Sequence, residues 1–193
     1  LDSKDEKSVS DFVGKLDRVD ISFNGAGIDG EQGKALSDMT LENFMYPILS
    51  AMQSNFVTMK VISNKMKQKG AGVIMSITAT PARKAYSFVG GNGPAWSAIE
   101  SLSRDLASEL GPLGIRVVNI RSGGSPDSRP FVSALGGETD LSKTFMKQML
   151  DETMLKKLPM MVDIGNVAVF LASDMSRAIT ASSLNVTCGT AMD

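Results

Sequence analysis

Proton transfer in this chain cannot use an imidazole, because its 193 residues include no histidine. That absence excludes Ser–His and Cys–His nucleophile pairs and every histidine-ligated metal site. Acid–base chemistry must therefore use aspartate, glutamate, lysine, tyrosine or water. Tyr86 lies in a predicted loop over residues 79–93 that also carries Arg83 and Lys84, so its phenol is a candidate general acid assisted by a nearby lysine. The simpler interpretation is that these three side chains form a solvated loop.

A second pattern is the glycine-rich stretch 25–30, which matches G-x-G-x-x-G and follows the apolar run 19–23. Such a pattern binds the pyrophosphate of a dinucleotide when it opens a helix. Here Gly33 and an irregular polar stretch follow instead. No acidic residue ends a second strand about 20 positions later, as a dinucleotide site would require. The sequence therefore disfavours a pyrophosphate-binding fingerprint here, and a simple glycine turn is one alternative.

The composition excludes several classes of partner. The formal net charge is -1, which gives no reason to expect nucleic acid or an anionic membrane surface as a partner. The longest apolar stretches have the length of strands, well below the roughly 20 residues of a membrane span. The single cysteine, Cys188, cannot form an internal disulfide, which agrees with a reducing, cytoplasmic location. We expect no metal site. The methionines between Met146 and Met161 either fill the core or line a flexible apolar pocket.

The elements that must position these residues alternate between strands and helices. We expect helices over residues 5–15, 40–69, 94–110, 141–158 and 163–173, and strands over residues 19–23, 72–77, 115–120 and 183–187. This order predicts an α/β fold, with a doubly wound, Rossmann-like parallel sheet in a single domain over residues 1–193. Ligands bind such sheets at the carboxyl ends of the strands, so the loops after Phe23, Ile77 and Ile120 are the expected site.

Five stretches of the chain carry motifs that occur together in one family. They are Phe23-Asn24-Gly25-Ala26-Gly27, residues 97–117, Ser122-Gly123, residues 167–180 and residues 185–189. In that order they resemble the Asn-Asn-Ala-Gly motif, the long interface helix with the sixth strand, the Pro-Gly position, the last helix and the Val-Asp-Gly-Gly end of the short-chain dehydrogenase/reductase family. The match at Gly25 is partial, since the family has a second asparagine there. The stretch 77–80 resembles the 2,4-dienoyl-CoA reductase branch of this family.

The resemblance implies an oxidoreductase that binds NAD or NADP and acts on a small carbonyl, alcohol or enoyl substrate. It places the cofactor against Asp2, Asn24, Gly25, Ala26, Gly27, Ile77, Ser122, Gly123 and Gly124. It also implies a homo-oligomer, a dimer or a tetramer, in which the helices near residues 47–69 and 94–110 pack against a second subunit.

The chain departs from the family at its amino end. The family's first three strands and the glycine-rich pyrophosphate turn, on the order of 60 residues of βαβ pattern, have no counterpart here. In the family the first strand pairs with the strand that residues 19–23 resemble, so an apolar strand edge would be exposed without it. We therefore expect upstream sequence in the natural protein that completes the cofactor site. We also expect residues 124–161 to form a mobile substrate loop and helix, in which Asp127 and Arg129 either orient a substrate or belong to a polar loop.

The chain also departs from the family at the catalytic positions. The family uses an asparagine, a serine, a tyrosine that acts as general acid and a lysine that holds the ribose. Alignment of the motifs puts Ala51, Ala79, Asn92 and Trp96 at these four positions. The family's thirteen-residue spacing between serine and tyrosine is preserved between Ala79 and Asn92, which argues against a misalignment.

Other residues are candidates to replace the lost groups. Tyr86 is the candidate acid, while Asn55 could supply an amide one turn after Ala51, and Asn92 keeps a polar side chain at the tyrosine position. Packed or surface positions for these asparagines are the simpler interpretation. Trp96 either stacks on a ligand ring or plugs the vacant lysine site. Two functions stay open: a divergent NAD(P)-dependent oxidoreductase, and a catalytically inactive family member that binds or scaffolds.

Overall fold

A computed structural model describes residues 1–129, 131–132 and 140–192, with the helical backbone alone for residues 140–142 and 145. In this part of the chain four parallel strands form one sheet in the order β1-β2-β3-β4. The strands are β1 (Ile21–Asn24), β2 (Gly72–Ala79), β3 (Ile115–Ser122) and β4 (Ser183–Val186). The predicted α/β fold with a parallel sheet is therefore confirmed. Residues 130 and 133–139 of the predicted substrate region lie outside the described residues, and its mobility stays a prediction.

Five α-helices accompany the sheet in the described residues: α1 (Glu6–Val13), α2 (Leu41–Lys67), α3 (Asn92–Leu110), α4 (Asp140–Glu152) and α5 (Met161–Ala172). Two of these helices begin at a residue whose side-chain oxygen accepts a hydrogen bond from a backbone N–H. Such an acceptor is needed because the first N–H groups of a helix have no partner within the helix. Asp5 accepts from the Lys7 N–H at the start of α1, and Thr40 accepts from the Asn43 N–H at the start of α2. Pro47 does not divide α2, which continues through it.

Both faces of the sheet are covered, as a parallel sheet requires. On one face Ile74 and Val117 pack with Met59 and Met66 of α2 and with Leu110 of α3. On the other face the neighbouring strand positions pack against Ile164 and Leu171 of α5; they are Val73, Met75, Val118 and Ile120. Successive side chains of a strand point to opposite faces, so the continuous apolar runs of β2 and β3 fill two cores at once.

The outer edge of β1 carries apolar side chains that the described residues leave about half exposed. Ile21 and Phe23 are 51% and 44% exposed, while Ser22 between them is buried. Their register partners Val73 and Met75 belong to the α5 core, so the two exposed side chains continue that apolar face beyond the helix. No strand of the described residues pairs with the free side of β1. This is the exposed apolar edge that the sequence predicts.

The helix predicted over residues 141–158 is shorter in the structure and ends at Glu152. Thr153 follows in a turn, with its hydroxyl donating to the Leu150 carbonyl at 2.8 Å. Lys156 then adopts φ 54°, a left-handed conformation that no α-helix accommodates. Pro159 further disfavours a helical Leu158. The apolar residues after this break do not form a buried helix face, since Met154 and Leu155 are each 64% exposed.

Candidate active site

The carboxyl ends of β1, β2 and β3 meet at one edge of the sheet. Ala79 and Ser122 are register partners at the ends of β2 and β3, and Asn24 at the end of β1 lies opposite Ser76. The fold therefore brings together most of the predicted cofactor residues, which follow or end these strands: Asn24, Gly25, Ala26, Gly27, Ile77, Ser122, Gly123 and Gly124. The side chain of Ile77 packs in the core between the sheet and α5, and so supports the carboxyl end of β2.

Three polar groups at or near this edge have no hydrogen-bond partner in the described residues. They are the Asn24 Nδ2, the Oγ of Ser76 opposite it and the Ser125 Oγ, and all three atoms are buried. Buried polar atoms are normally paired, so each of these is expected to meet a ligand or water. The chain after β1 is open, since Gly25 and Gly27 are exposed and a Cβ on Gly27 would meet nothing within 4 Å. An open glycine stretch beside an unpaired buried amide fits a polar cofactor that lies across the strand ends.

An apolar cover lies over the ends of β3 and β4. A Cβ at Gly124 would overlap Met149 of α4 and approach Phe131 at 3.0 Å. A Cβ at Gly189 would meet Met154 at 2.6 Å. Met149 therefore packs over Gly124 and Met154 over Gly189, and the choice between core filling and an apolar pocket for the methionines of the stretch 146–161 stays a prediction.

Lys84 connects the loop after β2 to this cover. Its Nζ lies 2.8 Å from the Glu152 Oε2 at the end of α4 and 5.1 Å from the centre of the Tyr86 ring. The hydrogen bond to Glu152 raises the pKa of Lys84, with a smaller contribution from Tyr86 and against the effect of burial. Lys84 therefore stays cationic at neutral pH. The three side chains form one cluster, and Tyr86 is half-buried in it rather than free in solvent.

Asn92 is the first residue of α3 and is 1% exposed. Both polar atoms of its amide lack a partner in the described residues. A Cβ on Gly30 would overlap the Asn92 Oδ1 and would also meet Pro47 of α2 at 3.0 Å, so Gly30 packs against both residues. In this conformation the segment after β1 therefore covers Asn92.

Asn55 and Trp96 lie farther along the same pair of helices. The Asn55 Nδ2 donates to the Ala51 carbonyl at 3.0 Å, one turn earlier in α2, while its buried Oδ1 has no partner in the described residues. Trp96 is half-buried and packs on the cluster of Ala51 and Ile99, together with Met52. Its indole thus fills space between α2 and α3, and the choice between a plug and a ligand-stacking role for Trp96 stays a prediction.

Asp2 lies at the start of the chain, in an exposed turn before α1. Its carboxylate accepts from the Lys4 N–H at 2.9 Å, and its own N–H donates to the Ser8 hydroxyl at 3.1 Å. These contacts are those of a local turn, and an adenine contact for Asp2 stays a prediction.

Asp127 has a structural contact that the sequence does not indicate. Its carboxylate accepts from the Met161 N–H at 3.0 and 3.2 Å, at the first residue of α5. It thereby ties the loop after β3 to the start of the helix that covers one face of the sheet.

We expect Asp127→Ala to lower the free energy of unfolding by about 1 kcal/mol, the usual cost of losing a helix N-terminal acceptor. Asp127→Asn keeps an oxygen at the same place and is expected to retain most of that stability. Urea unfolding followed by circular dichroism measures both. Equal stability of the alanine variant and the unchanged protein would contradict a capping role for Asp127.

Two contacts of this site have no local signal in the sequence. Glu152 is 68 residues from its partner Lys84, and Met149 lies far along the chain from Gly124, which it covers. Among the described residues, no group of three or more histidines, cysteines or acidic residues could hold a metal ion. A search of the described helices for one long and apolar enough to cross a bilayer finds none.

Comparison with known proteins places this geometry among oxidoreductases. A family model described as enoyl-(acyl carrier protein) reductase matches residues 2–191. The chain is 28% identical to the 7alpha-hydroxysteroid dehydrogenase of Escherichia coli, over 94% of this chain and 68% of the relative. It is also 28% identical to a peroxisomal 2,4-dienoyl-CoA reductase of Saccharomyces cerevisiae, over 95% of this chain and 60% of the relative.

The fold is shared with solved structures. The crystal structure of an NAD+-bound xylitol dehydrogenase superimposes with a TM-score of 0.89 at 22% identity. The superposition covers 98% of this chain and 77% of the dehydrogenase. At this identity the likeness concerns the fold, and it agrees with the parallel sheet described above.

Proposed function

The chain belongs to the short-chain dehydrogenase/reductase family, and from this premise we propose that it is a nicotinamide-dependent oxidoreductase of a small carbonyl, alcohol or enoyl substrate. The observation that carries the proposal is the open carboxyl edge of the sheet, where a glycine stretch adjoins the unpaired buried amide of Asn24. Solved members of the same fold bind a nicotinamide cofactor, as the NAD+-bound xylitol dehydrogenase does.

The residues that would hold the cofactor are those of the strand ends. Asn24 offers a buried amide donor, and the glycines after it allow close approach of a ligand to the backbone. Ser125 offers an unpaired buried hydroxyl after β3. When bound, a nicotinamide cofactor supplies or accepts the hydride of the reaction. The lysine that holds the ribose in the family is replaced by Trp96. The contacts of Asn24, Ser125 and the glycines must therefore contribute more of the free energy of cofactor binding.

We propose Tyr86 as the general acid that protonates the substrate. Its support is the cluster of Tyr86, Lys84 and Glu152, which joins the loop after β2 to the helix that covers Gly124. A charged ammonium beside a phenol stabilises the phenolate that remains after proton transfer. Glu152 in turn holds the Lys84 ammonium in place at 2.8 Å. The cluster therefore places a cation, Lys84, beside a phenol, Tyr86. The family makes the same kind of pair with a tyrosine and a lysine at other positions in the chain.

In this proposal Asn55 and Asn92 have supporting roles. The unpaired Oδ1 of Asn55 lies on α2, one turn from Ala51, where the family has its asparagine. It can accept a hydrogen bond from a water molecule that relays protons. Asn92 is covered by Gly30 and cannot touch a substrate in this conformation, so contact with a ligand requires the segment after β1 to move.

A second candidate function is binding of a cofactor or ligand without turnover. It follows from the residues that the alignment puts at the four catalytic positions, which are Ala51, Ala79, Asn92 and Trp96. The exposed apolar side chains of α2, among them Leu49 and Phe56, lie on a helix that packs between subunits in the family, which supports a homo-oligomer under either function.

The single tryptophan gives a direct test of cofactor binding, because Trp96 packs beside the proposed site. Titration of the protein with NADH and with NADPH should quench Trp96 fluorescence in a saturable way, and ADP-ribose should reverse the change by competition. A Trp96→Phe variant, which lacks the signal, provides the optical control. No saturable change at millimolar cofactor would contradict the proposed function.

A further inference from the structure

A polar cavity lies beside β4, between α3 and the loop after β2. It has a volume of about 420 Å³, and its walls include Arg83, Ser97, Arg104 and Ser183. Glu100 and Arg121 form its deepest part, since they are 4% and 3% exposed. None of its residues is among the proposed cofactor or catalytic residues, so the cavity is a separate feature of the molecule.

The cavity carries excess positive charge. Arg121 is neutralised by Glu100, with an Nη2–Oε2 distance of 2.7 Å and an Nε–Oε1 distance of 2.9 Å. Arg83 and Arg104 are exposed at the rim and make no salt bridge or side-chain hydrogen bond within the described part of the chain. Three guanidinium groups and one carboxylate therefore leave two positive charges around a polar cavity, in a chain whose net charge is -1.

Hydroxyl groups add neutral donors to the same wall. The Ser183 Oγ accepts from the Asn119 Nδ2 at 3.4 Å, which leaves its own proton available to a ligand. The neighbouring Ser182 also lines the cavity. Guanidinium groups bind phosphate oxygens in a two-pronged geometry, and hydroxyls satisfy the remaining oxygens. A carboxylate has only two oxygens and one charge, so it would use fewer of these donors.

We propose that this cavity binds the phosphate group of a small phosphorylated ligand, with Arg83 and Arg104 as its charged contacts. The inference does not depend on the proposed oxidoreductase activity, since none of these residues takes part in it. Acidic side chains of a second copy are the competing occupant, because α3 belongs to a helix pair that packs between subunits in the family.

The test is calorimetric titration of the protein with inorganic phosphate at low ionic strength, with acetate as the monocarboxylate comparison. The test variant is Arg83→Gln/Arg104→Gln. The matched control is Lys15→Gln/Lys67→Gln, which removes two exposed cations elsewhere and leaves the same net charge. Because Arg83 and Arg104 are exposed, their replacement should leave the fold intact, which circular dichroism verifies.

We expect saturable phosphate binding that weakens by about tenfold or more in the arginine variant and stays unchanged in the lysine variant. Added salt should weaken the binding, and acetate should bind less tightly than phosphate. Equal phosphate affinity in all three proteins would overturn the proposal. So would an absence of phosphate binding combined with a change in oligomer size of the arginine variant by light scattering, which would identify the cavity as an interface.

Discussion

Tyr86→Phe is expected to lower kcat by about 10²- to 10⁴-fold while leaving cofactor affinity unchanged. The substitution removes only the phenolic hydroxyl, and it keeps the ring beside the Lys84 ammonium at 5.1 Å. The loss is expected in kcat because the hydroxyl acts in the transition state, whereas the ring contributes to packing in every state. The assay follows NAD(P)H consumption across a panel of small ketones, aldehydes and enoyl thioesters.

The chain offers a matched control, since it has two tyrosines and each has a lysine beside its ring. Tyr46 lies on α2 with the Lys4 Nζ 5.9 Å from its ring centre, and it is 53% exposed. Tyr46→Phe should leave kcat unchanged. If Tyr86→Phe retained full turnover, Tyr86 would not be the acid. Cofactor binding without turnover by the unchanged protein would instead support the non-catalytic function.

Glu100→Gln is expected to lower the free energy of unfolding by about 3–5 kcal/mol, since it leaves the Arg121 guanidinium buried without a counter-charge. The Glu100 carboxylate also accepts from the Thr78 hydroxyl at 2.8 Å, and Arg121 donates to the Asn185 Oδ1 at 2.8 Å. The pair thereby joins α3 to β2, β3 and β4. Urea unfolding followed by circular dichroism gives the free energy directly.

Two further variants distinguish the effect of the buried Glu100–Arg121 pair from that of an exposed ion pair. Asp11→Asn breaks the Lys7–Asp11 pair, whose side chains are 81% and 59% exposed, and should cost less than about 1 kcal/mol. The double variant Glu100→Leu/Arg121→Met removes both charges and should recover most of the loss of the single variant. A loss for Glu100→Gln no larger than that of Asp11→Asn would show that water reaches the pair.

The elements of the fold could be predicted from the sequence wherever local physics decides them. The apolar runs of β2 and β3 predict strands buried on both faces, and glycine and proline residues mark several of the turns between elements. The expectation that residues 25–30 open no helix is also confirmed, since the chain runs irregularly until a short 3-10 helix at Leu36–Asp38. The error at the end of α4 arose because apolar residues continue after Glu152, and their spacing alone does not show that the chain has left the helix.

The residues of the candidate site also fall into two groups, those that the sequence predicts and those that only the tertiary structure reveals. Asn24, Ser122 and the glycines beside them could be located from the sequence, because parallel strands always bring their carboxyl ends to one edge. The pairing of Lys84 with Glu152 and of Glu100 with Arg121 could not, since these contacts join residues distant in the chain and depend on how helices lie over the sheet. Composition alone determined that any proton transfer must proceed without histidine. Only the tertiary structure decided that Tyr86 has a charged neighbour held in place, because that neighbour, Lys84, is fixed by Glu152, which lies 68 residues later in the chain.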